Sequence, residues 1–133
     1  MGLVRADVEL RNPVEATLAT IKVSALVDSG ALHLCLPQHL VLQLRLRELE
    51  KREVTLADGA RKLVPYVGPV EIRFANRRCF TGAMVMGDEP LFGAIPMEDM
   101  DLVVVPATRS LEVNPQSPNI PLSVAKGLPP RMG

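Results

Sequence analysis

The sequence predicts an all-β domain with one or two short helices, and three observations carry that prediction. Twelve prolines and nine glycines in 133 residues break the chain too often for long helices. Residues 4–10 alternate, with Val4, Ala6, Val8 and Leu10 on one face and Arg5, Asp7 and Glu9 on the other, the period-two pattern of a half-buried strand. Asp58-Gly59 stands between apolar stretches, a strong hairpin signal, since both central residues of the tightest turns need positive φ.

The remaining elements follow in order. Arg11-Asn12-Pro13 is turn chemistry, because Asn tolerates left-handed angles and Pro cannot continue a ladder. A second strand region spans residues 14–27, with Ile21, Val23, Ala25 and Val27 on one face, and Asp28-Ser29-Gly30-Ala31 ends it. Pro37 opens a short helix near 38–44. Leu36, Leu40 and Leu44 share a face there, and Pro at a first helical position forfeits no hydrogen bond. Residues 45–53 mix charges and read as solvated. Residues 54–56 form a strand entering the hairpin Ala57-Asp58-Gly59-Ala60. Its return limb is 61–67, which Pro65 places at an edge. Val70, Ile72 and Phe74 then alternate with Glu71 and Arg73. Asn76-Arg77 turns the chain, and Arg77-Arg78 reads as a solvated turn before a strand over 79–86. Leu91-Phe92-Gly93 leads to about one helical turn at 96–100. Residues 102–105 and 110–113 make a last hairpin. Five prolines follow from Asn114 on. The domain is therefore read as 1–113, and 114–133 as a Pro-rich, extended tail with a disordered end.

Composition excludes several classes. The length suits one domain with a single core. Fifteen basic residues balance fifteen acidic ones, which argues against a nucleic-acid partner, since such a protein needs a basic face for phosphates. Aliphatic runs such as Leu102-Val103-Val104-Val105 fall far short of the roughly 20 residues that span a bilayer, so no membrane partner is expected. The first residues carry an early acid and no apolar signal core, so a cytoplasmic location is expected. Cys35 and Cys79 are too few for a disulfide framework and read as reduced thiols.

Chemistry concentrates at Ala25-Leu26-Val27-Asp28-Ser29-Gly30-Ala31. A carboxylate at the end of an apolar strand is costly unless it is hydrogen-bonded, protonated or paired. The bare Asp-Ser-Gly is also ordinary turn chemistry, and taken alone it reads as an exposed strand-end turn. His33, Cys35 and His39, with Cys79, are candidate zinc ligands by residue type. Their spacings are not those of paired zinc knuckles, and the adjacent Leu34 and Leu36 point to packing on a core, so no metal or other cofactor is expected.

The stretch from Ala25 to Ala31, followed by Leu36-Pro37, resembles the active-site element of the retropepsin-like aspartic proteases: apolar, apolar, Asp, Thr or Ser, Gly, Ala. Their second element, two apolar residues and a Gly before a short helix, is similar to Leu91-Phe92-Gly93 here. Their closing strand is similar to Asp101-Leu102-Val103-Val104-Val105. The hairpin Ala57, Asp58, Gly59, Ala60 sits where the flap of that family sits. The likeness spans roughly residues 4–113 and is nearest to small bacterial-type members.

The resemblance implies a closed, acid-protease-like barrel with one catalytic Asp per chain, and hence a two-fold homodimer with both Asp28 side chains at the axis. It implies an aspartic endopeptidase acting on a peptide or protein substrate. Asp28 is catalytic, while Ser29, Gly30 and Ala31 support the dyad. Viral members carry an acid and an Arg where this chain has Leu32 and Ala94, and the flap tip here has a single Gly. Loss of both charged partners together strands no charge. A non-catalytic peptide- or protein-binding module on the same fold is the alternative. A small β-domain in which Asp28 only makes a turn is a third reading.

Overall fold

Why the chain closes on itself is legible strand by strand. A computed structural model describes residues 3–123. β1 (Val4–Arg11) turns Ala6, Val8 and Leu10 into the core, as its alternation requires. It pairs antiparallel with β2 (Ile21–Val27), from Val4 opposite Val27 to Leu10 opposite Ile21. β3 (Leu34–Leu36) leads through Pro37 into α1 (Gln38–Gln43), which buries Leu40 and Val41. β4 (Arg47–Thr55) and β5 (Arg61–Phe74) form a long hairpin, and β6 (Arg77–Val85) returns along β5. β7 (Leu91–Phe92) precedes α2 (Ala94–Asp99). β8 (Leu102–Val105) and β9 (Ser110–Val113) make a separate two-stranded sheet. The large sheet runs β1-β2-β7-β3-β6-β5-β4, and β5 also pairs with β1, so six strands close into a barrel with β4 outside the ring. The core is aliphatic, built on Leu10, Leu34, Leu36, Leu44, Val70, Ile72, Phe92 and Met100. Among the described residues no helix is long and apolar enough to cross a membrane.

Several expectations are corrected. The second strand starts at Ile21 and not at Val14, because Asn12 draws the intervening chain into a turn. Its Oδ1 accepts from the Val14 and Glu15 amides at 2.9 and 3.3 Å. Its Nδ2 donates to the Leu44 and Arg45 carbonyls at 2.9 and 3.2 Å, so the same buried side chain also finishes the end of α1. Residues 47–53 are largely solvated as expected, yet they are strand, and Leu46 just before them is buried in the core. β4 pairs along the start of β5 beyond the barrel, where neither face needs to be apolar. The two stretches expected on either side of Gly68-Pro69 are one continuous strand, with a register shift between Val67 and Val70. Pro65 pairs only toward β4, because β6 begins its pairing at Tyr66.

Two buried charges escaped the pattern. Glu71 was read on an outward face, yet it is 0% exposed. Arg11 Nε lies 3.0 Å from Oε1, Arg73 Nε 2.8 Å from Oε2, and Arg78 Nε 3.7 Å from Oε2, so three guanidiniums cover it. Burial alone would raise its pKa; hydrogen bonds from Arg73 and Arg11 and their positive charge outweigh burial, and the carboxyl titrates below its ordinary value. Arg77 was read as a solvated turn, yet it is 2% exposed and donates from Nη2 to the Ser117 carbonyl. The turn is one residue earlier, at Ala75 (φ 52°) and Asn76.

Beyond Val113, where the sequence reading ends the packed domain, residues 114–122 still bond to it. Asp101 accepts from the Ser117 hydroxyl, from the Leu122 amide at 2.8 Å and from Asn114 Nδ2 at 3.1 Å. Asn76 Nδ2 donates to the Pro118 carbonyl at 2.8 Å. The rest of the expected tail, 124–133, lies outside the described residues. The bonds from Ser117, Leu122 and Asn114 lower the Asp101 pKa to about 2. A carboxyl with a depressed folded-state pKa stabilises the fold above its unfolded value, and that contribution is lost as pH falls through the folded value. The attachment of residues 114–122 is therefore expected to hold at pH 4 and above and to loosen as pH falls toward 2. Hydrogen exchange at the Leu122 amide across that range, with Asp101→Asn as the flat control, checks it.

Candidate active site

The Asp28 loop is held by the opposite end of the sequence. β2 and β7 run parallel, with Leu26 opposite Leu91 and Val27 opposite Phe92. The Asp28 amide donates to the Phe92 carbonyl at 3.0 Å, and the Leu26 amide to the Pro90 carbonyl at 2.9 Å. From the other side, the Ala94 and Ile95 amides donate to the Ala31 and Leu32 carbonyls, each at 2.8 Å. The loop also closes on itself: the Ala31 amide donates to the Asp28 carbonyl at 3.1 Å and the Gly30 amide to Asp28 Oδ1 at 2.9 Å. A Cβ on Gly30 would come 3.2 Å from that oxygen. Gly93 is forced by space: a Cβ there would lie 2.4 Å from the His33 carbonyl oxygen and 2.7 Å from the Leu32 carbonyl carbon.

Asp28, Ser29, Gly30 and Ala31 are thus brought together with Leu91, Phe92 and Gly93. Phe92 and Gly93 are buried, while the Asp28 side chain faces solvent in the single chain. A carboxylate held by the Gly30 amide and open to solvent above has room for a water or a ligand group against it.

Residues 57–60 lie at the tip of the β4–β5 ribbon. Only Gly59 has positive φ there, 87°, and Asp58 does not. The turn is a three-residue loop, closed by the Leu56 amide to the Ala60 carbonyl at 2.7 Å and the Gly59 amide to the Leu56 carbonyl at 2.9 Å. Asp58 Oδ1 accepts from the Ala60 amide at 2.9 Å, so its side chain braces the tip. No hydrogen bond joins the tip to the Asp28 loop among the described residues.

The structure also assembles a group that the sequence reading did not single out. Tyr66, on the ribbon stem, takes the Arg52 guanidinium over its ring at 3.7 Å from the centroid. His33, just past the Asp28 loop, meets the same ring edge-on at 5.9 Å and 69°. Burial, and then the Arg52 charge, lower the His33 pKa. Gly82 lies under the ring, where a Cβ would come within 2.2 Å of it. Tyr66 is the only tyrosine of the chain, set among aliphatic strand residues, and that was the available signal.

The candidate zinc ligands do not gather in one place among the described residues. His39 is exposed on α1, and Cys35 is half-buried on β3. Cys79 is buried, and burial with the neighbouring Asp99 pushes its thiol pKa to about 12. Among the described residues no three His, Cys, Asp or Glu side chains gather as a metal requires.

No family model and no curated protein matches the sequence. Solved structures do match. EIAV protease complexed with the inhibitor HBY-793 aligns with a TM-score of 0.54 at 19% identity, covering 78% of this chain and 93% of that one. The solution structure of simian foamy virus (mac) protease aligns with a TM-score of 0.45 at 19% identity, covering 70% and 92%. With its six-stranded ring, its two short helices and an aspartate loop pinned by β7, the chain has the retropepsin-like fold of the retroviral proteases.

Proposed function

We propose that the protein is an aspartic endopeptidase that works as a two-fold homodimer, each chain supplying one Asp28. The observation that carries this reading is the Asp28 loop itself. A mere strand-end turn needs no second segment, yet this loop is clamped on both sides by residues 90–95 and held open toward solvent. One exposed aspartate is half a site, and a second copy completes it. β8 pairs only with β9 among the described residues, and its half-buried Val103, Val104 and Val105 offer an aliphatic edge on which a second copy can pair.

Two carboxyls brought within a few ångströms cannot both ionise cheaply, so the pair holds one proton between them and titrates as a unit. The ionised member takes a proton from a water lying between them, and that water attacks the peptide carbonyl. The protonated member donates to the carbonyl oxygen and later helps to protonate the leaving amine. The Ser29 hydroxyl and the Gly30 backbone keep the two carboxyls level. An extended peptide lies beneath residues 57–60, adding strand-like backbone bonds. The thiols of Cys35 and Cys79, unpaired with each other, suit a reducing, cytoplasmic setting.

Stoichiometry tests the proposal. A statine-type inhibitor, which mimics the hydrated carbonyl, is expected to bind one molecule per two chains and to shift a monomer–dimer equilibrium toward dimer in sedimentation. A monomer at micromolar concentration that binds no inhibitor overturns the reading. Binding without turnover of any peptide favours the non-catalytic module, a reading to which Leu32, apolar and 58% exposed beside the loop, lends support.

A further inference from the structure

Resting on the endopeptidase reading, we infer that Arg52, Tyr66 and His33 form a side-chain subsite that selects an acidic residue of the substrate. The three come from three elements, β4, β5 and the loop into β3, and meet at the stem of the ribbon. They adjoin the candidate catalytic loop directly, since the His33 carbonyl packs against Gly93, which follows the residue whose carbonyl receives the Asp28 amide. All three side chains are half-buried, so each keeps a face to solvent.

Charge and geometry together define what this face takes. The guanidinium lies 3.7 Å over the Tyr66 ring, which fixes its plane and leaves its edge N–H groups as an oriented fork, the geometry that matches a carboxylate. Gly82 makes this possible by leaving room for the ring on β6. Glu50 is the carboxylate nearest Arg52, at 3.5 Å, and it is mostly exposed, so the contact is weak and easily exchanged for one from a ligand. The imidazole of His33 meets the same ring edge-on and holds its orientation under the guanidinium. Arg52 is the specificity-determining residue, and Tyr66 and His33 are positioning residues.

The test is a digest of a diverse peptide library by the full chain, with cleavage sites read by mass spectrometry. Wild type is expected to enrich Glu or Asp about tenfold over Gln or Asn at one position on at least one side of the cut bond, the size expected for a charge-assisted hydrogen-bonded contact. Arg52→Gln is expected to erase that ratio, Arg52→Glu to turn it toward Lys or Arg, and Arg52→Lys to restore part of it, because a point charge lacks the fork. Cleavage without acidic enrichment, enrichment of aromatic residues there instead, or acidic enrichment that survives Arg52→Glu overturns the inference and leaves the endopeptidase reading standing. Absence of cleavage of every peptide by wild type overturns both.

Discussion

Asp28→Asn is expected to lower peptide hydrolysis by a factor of about 10²–10⁴ or more, the range lost when a positioned general acid–base group is removed. The amide cannot take a proton from water, and two asparagines cannot hold a shared proton. The fold is expected to survive. The side chain faces solvent, and the one hydrogen bond it accepts among the described residues, from the Gly30 amide at 2.9 Å, is available equally to the Asn oxygen. A surface change of this kind shifts stability by about 0.5 kcal/mol or less. Measuring kcat on a cleavable peptide beside thermal unfolding of the same samples separates chemistry from folding. A variant that retains wild-type turnover would place the hydrolytic group elsewhere.

Gly93→Ala is expected to have the largest effect on stability, roughly 3 kcal/mol or more, at the upper end for overpacking. The obstructing atoms are the His33 carbonyl oxygen at 2.4 Å and the Leu32 carbonyl carbon at 2.7 Å, which are backbone and cannot rotate away. Relief requires parting the two segments and breaking the Ile95-to-Leu32 bond that holds the Asp28 loop. For a domain of this size the melting temperature should fall by about 10 °C. Gly59→Ala is the contrast. Nothing lies within 4 Å of its added Cβ, and only its φ of 87° is strained, so its cost should be about 1–2 kcal/mol and local to the hairpin tip. Equal melting temperatures for the two glycine variants would contradict this account.

The sequence was most legible where one face is apolar and the other wet. β1 follows from alternation alone, the final hairpin from two short runs about the turn at residues 106–109, and the pairing of the Asp28 element with Leu91-Phe92-Gly93 from the likeness of both to a known family. It was least legible where tertiary context overrides pattern. β4 has no apolar face to announce it, because it pairs beyond the barrel. Glu71 holds an outward register, and guanidiniums arriving from β1 and β6, with Arg73 beside it, cover it. Asn12 looked like a turn residue and is one, but its second role at the end of α1 depends on a contact 32 residues away. The Arg52, Tyr66 and His33 group has no signature beyond the lone tyrosine, since its members are far apart and meet only through the pairing of β4 with β5 and of β5 and β3 with β6.

The ring of six strands leaves β4 as the long strand that terminates the sheet, and its composition has a consequence for solubility. Arg47, Glu48, Glu50, Lys51, Arg52 and Glu53 crowd both signs along it. A foreign strand seeking to extend the sheet would have to answer both signs residue by residue, and a second β4 laid parallel and in register would set like charge against like. The projecting arm can thus stand clear of the barrel without becoming a seed for fibrils.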